Sequence, residues 1–105
     1  MVEVVWTESA IIDLGEIGEY ISQDSVRYAE ITVQSLFEST DILESNPLAG
    51  PVVPELQNDL IRQLIRGSFR LIYHVVDEEL IEVLTVHRTS RLISNTYDFD
   101  NLINE

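Results

Sequence analysis

Cysteine and lysine are both missing from this chain of 105 residues. Without cysteine there is no disulfide, no thiolate chemistry and no cysteine-type zinc site. The two histidines, His74 and His87, fall on different predicted strands with no recognisable ligand spacing, so neither a metal nor another cofactor is expected. No apolar run approaches the roughly 20 residues needed to cross a bilayer, so no membrane contact is expected. The opening MVEVVWTESA has no basic n-region and no long apolar stretch, which argues against a signal peptide and for a cytoplasmic address.

Positive charge is also scarce. Six arginines face nineteen acids, for a formal net charge of -13. Such a field repels nucleic acid at long range and favours basic partners or solubility. Adaptation to a salty cytoplasm would also produce an excess of acids and a loss of lysine. The hydrophobic fraction of 45% is that of a folded globular chain, and the length allows one small domain over 1–105.

VEVVWT, residues 2–7, is rich in β-branched and aromatic side chains and predicts a strand. Thr7 is suited to cap a following helix, with Glu8 at its positive end. Ala10, Leu14, Ile17 and Ile21 then recur at helical spacing. Gly15 and Gly18 each cost that helix about 1 kcal/mol against alanine, a cost that leaves two readings open, an accident of sequence or a close backbone approach. SQDS breaks the pattern, Asp24 or Ser25 can cap a second helix, and its stripe runs Ala29, Val33, Leu36, Thr40, Leu43. The short break predicts an antiparallel helix hairpin, ended by the proline-punctuated SNPLAGPVVP.

From Leu60 the pattern turns extended, in LIRQLIR, FRLIYHVV and LIEVLTVH, broken at Gly67-Ser68 and at Asp77 to Glu79. The expected fold is therefore α+β: an N-terminal strand, a helix hairpin and three antiparallel strands, with the helices on one sheet face. The core is expected over 1–91. Residues 92–105 carry weak pattern, either a short helix or a loose end.

Five of the six arginines lie between Arg62 and Arg91. Whether they form one surface depends on strand register. A two-residue turn at Gly67-Ser68 pairs Arg66 with Phe69 and sends Arg62 and Arg70 to opposite faces. A three-residue turn, Arg66 to Ser68, places Ile61, Gln63, Ile65, Phe69, Leu71, Tyr73 and Val75 on one face. Arg62, Leu64, Arg70, Ile72 and His74 then share the other, with Arg66 at its edge. The second register separates apolar from charged residues better and is the one expected. Exposed ion pairs contribute only about 0–1 kcal/mol, so pairing with acids is a weak reason for the clustering.

Taken together, VVWTESAIIDLGEIGEYISQDS, the NPLAG turn, VPEL, IRQLIRGSFRLIYHV and EVLTVHRTSR resemble the ParE/RelE superfamily, toxins of type II toxin–antitoxin modules often described as plasmid stabilisation proteins. The likeness covers about residues 2–91, and it rests on the order and spacing of these segments rather than on one motif. It implies a helix hairpin packed on a small antiparallel sheet.

It also implies one of two activities. RelE-like members cleave mRNA in the ribosomal A site, which needs a base for the 2′-hydroxyl, cations for the phosphorane and an acid for the leaving oxygen. Carried over by position, Arg62 and Arg70 match basic sites of that constellation, Arg88 or Arg91 the later cation, and Tyr97 the C-terminal tyrosine. His74 and His87 are further acid–base candidates. Leu64 stands where a second strand lysine is expected, which is a departure. ParE-like members bind and poison DNA gyrase without catalysis, and the long WTESAIIDLGEIGEYISQDS segment and the VHRTSR ending are closer to these.

The leading expectation is thus a ParE-like growth inhibitor. Its binding residues are Arg62, Arg66, Arg70, His74, Arg88 and Arg91, and its target is DNA gyrase. The ribosome-dependent endoribonuclease is the alternative, and an acidic non-toxic member that keeps only antitoxin binding is the third. The resemblance implies a cognate antitoxin whose flexible segment wraps the helix hairpin and sheet. Operon-directed DNA binding would belong to that partner, so no sequence-specific DNA contact is expected of this chain. Whether it forms a homodimer or a hetero-oligomer with the antitoxin is left open.

Overall fold

The structure is a computed structural model, which describes residues 1–89. Strand β1 (Glu3–Trp6) leads into helices α1 (Glu8–Ser22) and α2 (Val26–Glu38), and a 3-10 segment over Ser39–Glu44 extends the second helix. Strands β2 (Ile61–Arg66), β3 (Phe69–Val75) and β4 (Leu80–Arg88) follow. The sheet order is β1-β4-β3-β2. The last three strands form the expected antiparallel meander, and β1 joins β4 in parallel, with Glu3 opposite Leu80 and Trp6 opposite Val83. The sheet is therefore mixed.

Both helix starts follow from their caps. The Thr7 hydroxyl accepts from the amide of Ala10 at 3.2 Å and donates to the carbonyl of Val83 at 2.9 Å, so one residue starts α1 and ties it to β4. Ser25 accepts from the amide of Tyr28 at 3.0 Å and starts α2. Along the predicted stripes Ala10, Leu14, Ala29, Leu36, Thr40 and Leu43 are buried, and Ile17, Ile21 and Val33 pack against them. A Cβ at Gly18 would stand 3.0 Å from Val33, so this glycine serves the close approach of α1 and α2, whereas Gly15 faces open space. Trp6 donates to the Thr40 hydroxyl at 3.3 Å and its ring centre lies 5.2 Å from that of Phe37, which fixes β1 under the end of α2.

Two cores lie on opposite sides of the sheet. The larger one joins the helices to Leu64, Phe69, Leu71, Tyr73, Ile81, Val83 and Val86. The smaller one contains Val53, Ile61, Ile72 and Leu84, with Leu56 against it. Burying a side chain such as Leu71 or Ile72 contributes about 1.5–3 kcal/mol. The loop after the 3-10 segment thus covers part of the face that the helices leave open. It also lines the outer edge of β2, where Val52 bridges Arg62 and Val53 donates to the carbonyl of Ile61 at 3.2 Å. Gly50 sits beneath the Tyr73 hydroxyl, and a Cβ there would collide with the carbonyl of Gln63.

Candidate interaction surface

Register determines where each basic side chain goes. Arg66 pairs with Phe69 across a two-residue Gly67-Ser68 turn, with Gly67 at φ 58, the left-handed conformation that such a turn requires of its first central residue. The expected three-residue turn is corrected accordingly. Arg62 lies opposite Tyr73, on the helix side, while Arg70 lies opposite Ile65, on the other side. Their common face does not exist. The predicted inward set also changes: Phe69, Leu71 and Tyr73 do face the helices, joined by Leu64. Ile61 belongs instead to the second core and Ile65 is 46% exposed.

An irregularity in β4 completes the redistribution. Ile72 pairs with Thr85 but Tyr73 pairs with Val83, so Leu84 is an extra residue in the ladder. Beyond this bulge the side-chain phase is reset. His87 comes opposite Arg70 on the second face, and Arg88 comes opposite Phe69 on the helix side. Arg62, Arg66 and Arg88 therefore share the helix side, and Arg70, His74 and His87 the opposite side. Arg91 and Tyr97 lie outside the described residues.

On the second face the basic groups are held internally. Arg70 is buried; its Nε donates to Gln63 at 2.8 Å and its two terminal nitrogens reach Glu55 at 3.0 and 3.2 Å. His74 is half-buried, and its Nδ1 has no hydrogen-bond partner among the described residues. Burial pushes its imidazole below the ordinary 6.5, against an opposing pull from Glu82. The His87 Nε2 lies 3.0 Å from the Thr85 hydroxyl, which in turn donates to Asp13. The same carboxylate accepts from the amide of Val86 at 3.1 Å. Asp13 thus replaces a neighbouring strand where β1 has ended, a role that no sequence motif marks.

On the helix side Arg62 is committed as well. It donates to the carbonyls of Asp59 at 3.1 Å and Gly50 at 3.0 Å. Arg66 and Arg88 remain at the surface, in one row with Phe69 across the hairpin tip. The Arg88 guanidinium stands 4.9 Å from the centre of the Tyr20 ring and 5.8 Å from that of Phe69, a cation held by two aromatic faces.

Two depressions lie along the side of this row that faces α2, and together they outline a groove. At one end a cavity of about 260 Å³ is lined by Tyr20, Asp24, Tyr28, Thr32, Phe69 and Arg88, among others. At the other end a more open cavity of about 490 Å³ lies between Ile31, Gln34, Ser35, Glu38, Ser39 and Arg66. Tyr20, Tyr28 and Ile31 are each more than half exposed, which is apolar surface that a monomer gains nothing by leaving in water. The groove can take an extended or helical segment with apolar side chains toward the tyrosines and carboxylates toward Arg66 and Arg88. Tyr20 and Phe69 were not legible as site residues, because the bulge that carries Arg88 over them leaves no mark in the strand pattern.

Among the described residues no three His, Asp or Glu side chains group as a metal site, and no helix is long and apolar enough to cross a membrane.

The family model described as ParE toxin of type II toxin-antitoxin system, parDE, matches residues 4–93. A structure described as the chromosomal ParDE toxin–antitoxin system from P. aeruginosa is similar at 25% identity and a TM-score of 0.68, over 84% of this chain and 96% of that one. The RelBE2 toxin–antitoxin complex of Mycobacterium tuberculosis is similar in fold, at 23% identity and a TM-score of 0.60, over 87% of this chain and 97% of that one. No curated protein matches the chain.

Proposed function

We propose, from the premise that this chain belongs to the ParE toxin family of type II toxin–antitoxin systems, that it is a non-catalytic growth inhibitor acting on DNA gyrase in the cytoplasm. A cognate antitoxin neutralises it as a hetero-oligomer. The neutralising segment occupies the groove between α2 and the hairpin tip, with acidic side chains on Arg66 and Arg88 and apolar ones on Tyr20 and Tyr28. Operon DNA is bound by that partner and not by this acidic chain.

One observation carries the non-catalytic reading: Arg62 and Arg70 lie on opposite faces and both are engaged within the protein. Cleavage of a phosphodiester needs cations converging on one phosphorane, and these two cannot converge. The ribonuclease alternative rests on His87 and Arg88, which both border a cavity of about 420 Å³ at the edge of β4.

The experiment expresses the chain without its partner and assays gyrase supercoiling beside cleavage of ribosome-bound mRNA. Inhibited supercoiling with intact mRNA is expected. Ribosome-dependent cutting that disappears in Arg88→Ala overturns the gyrase assignment. Absence of any growth effect, with the antitoxin still bound, assigns the chain to the non-toxic members.

A further inference from the structure

A second apolar depression lies at the other end of the sheet. Pro47, Leu48, Leu60 and Val76 form its walls, Asp77 and Glu78 its mouth, and its volume is about 550 Å³. Leu48 is 56% exposed, Leu60 46% and Val76 37%, so three large aliphatic side chains from three separate segments turn to one opening. β3 runs from the hairpin tip at Phe69 to Val75 beside this cleft, about 20 Å at strand rise. The groove holding Arg66 and Arg88 is therefore a separate surface.

The walls are fixed before anything binds. The buried Tyr73 hydroxyl donates to the carbonyl of Pro47 at 3.0 Å and holds the first wall. The amide of Leu60 donates to Asn58 at 2.9 Å, and its carbonyl accepts from Val75 at 2.8 Å. Val76 donates to the carbonyl of Leu80 at 3.0 Å, and Asp77 accepts from Glu79 at 2.7 Å, which sets the carboxylate at the mouth. A preformed apolar cleft loses little conformational entropy on binding.

Charge selects the occupant. Asp77 and Glu78 border the mouth, Glu79 follows them in the chain, and Asp59 precedes Leu60. Arg62, two residues beyond Leu60, is turned onto the carbonyls of Asp59 and Gly50. A second copy of a chain with net charge -13 would bring the same acids to this mouth, which disfavours self-association there. We propose that this cleft docks a basic segment of a partner protein, one with a bulky aliphatic side chain beside lysine or arginine. Its site is independent of the groove, so an occupant there does not block it, and it does not depend on which target the toxin poisons.

The test uses the full chain and two short fluorescein-labelled peptides of equal charge, one alternating lysine with leucine and one alternating lysine with serine. The leucine peptide is expected to bind about tenfold or more tightly than the serine peptide. Leu60→Asp removes that difference even though it adds negative charge, and Leu48→Ser, a milder change at an exposed position, reduces it. Asp77→Asn with Glu78→Gln weakens both peptides and flattens the salt dependence. Ile31→Asp, in the groove, leaves the preference intact. Equal binding of the two peptides overturns the proposal, as does an equal loss in Ile31→Asp and Leu60→Asp. Sedimentation of the chain alone showing a dimer that Leu60→Asp dissolves would identify a second copy as the occupant and likewise overturn it.

Discussion

Arg70 and Glu55 hold the loop after the helices onto the sheet through a two-pronged ion pair, with N–O distances of 3.0 and 3.2 Å. Arg70 is nearly buried, with 8% of its side chain exposed, against 27% for Glu55. Truncating either partner leaves a desolvated charge behind. Arg70→Ala is expected to destabilise the fold by about 2–3 kcal/mol, less than a fully buried pair because Glu55 keeps contact with water. Urea denaturation measures it. Arg70→Met, which restores the apolar volume, is expected to recover part of the loss. Any fall in toxicity of Arg70→Ala at constant soluble concentration would mean that the arginine acts beyond folding.

Tyr73 joins the same loop to the sheet by a different chemistry. Its hydroxyl accepts from the amide of Gly50 at 3.0 Å and donates to the carbonyl of Pro47 at 3.0 Å. Tyr73→Phe strands the buried Gly50 amide and frees the partly buried Pro47 carbonyl, and is expected to cost about 2 kcal/mol, read by the shift in denaturation midpoint. Burial raises the hydroxyl above its ordinary 10.0, with smaller opposing effects from the Gly50 amide and Arg62. The folded chain therefore keeps this proton to higher pH than the unfolded chain. Stability is expected to fall as pH rises above about 10, and Tyr73→Phe removes that slope.

His74 gives the opposite dependence on the acid side. Its folded imidazole titrates below 6.5, so the unfolded chain takes up the proton first. The contribution is complete above pH 6.5 and is lost as pH falls through the folded value. Comparing denaturation of the wild type with His74→Leu between about pH 5 and about pH 8 isolates it, and the variant is expected to show the shallower loss toward acid.

Arg88 separates binding from stability. Its guanidinium is exposed and stacked on Tyr20 and Phe69, so Arg88→Ala is expected to cost the fold about 0.5–1 kcal/mol. Antitoxin affinity is expected to fall about tenfold or more, since a stacked arginine beside aromatic side chains has the character of a binding hot spot. Arg88→Lys keeps the charge but loses the planar stacking and is expected to rescue only part of the affinity. Isothermal titration with the purified antitoxin reads both.

The helices and their caps could be read from Thr7, Ser25 and the stripes starting at Ala10 and Ala29, because helical periodicity needs only one buried face to be visible. The hairpin register could not. Both turns were stereochemically open, and the criterion that chose between them assumed a single buried sheet face. Val53 and Leu56 come back from the loop to bury Ile61, Ile72 and Leu84 on the other side, so apolar residues are required on both. Counting them then favours the wrong phase. The bulge at Leu84 was equally silent, since Val83, Leu84 and Thr85 suit a strand in either register. Of the residues at the groove, Arg66 and Arg88 stood out in the sequence, while Tyr20 and Phe69 emerge only from the fold.

β1 finds its partner at the far end of the described chain: Glu3 to Trp6 pair with Leu80 to Val83. Local helix contacts form early, but this ladder closes a loop of nearly the whole domain. On the ribosome the strand must therefore wait unpaired until residue 83 has emerged, with Trp6 and Val4 waiting for their side of the core. Synthesis itself delays the finished toxin, which gives an antitoxin already present in the cell an interval in which to meet it.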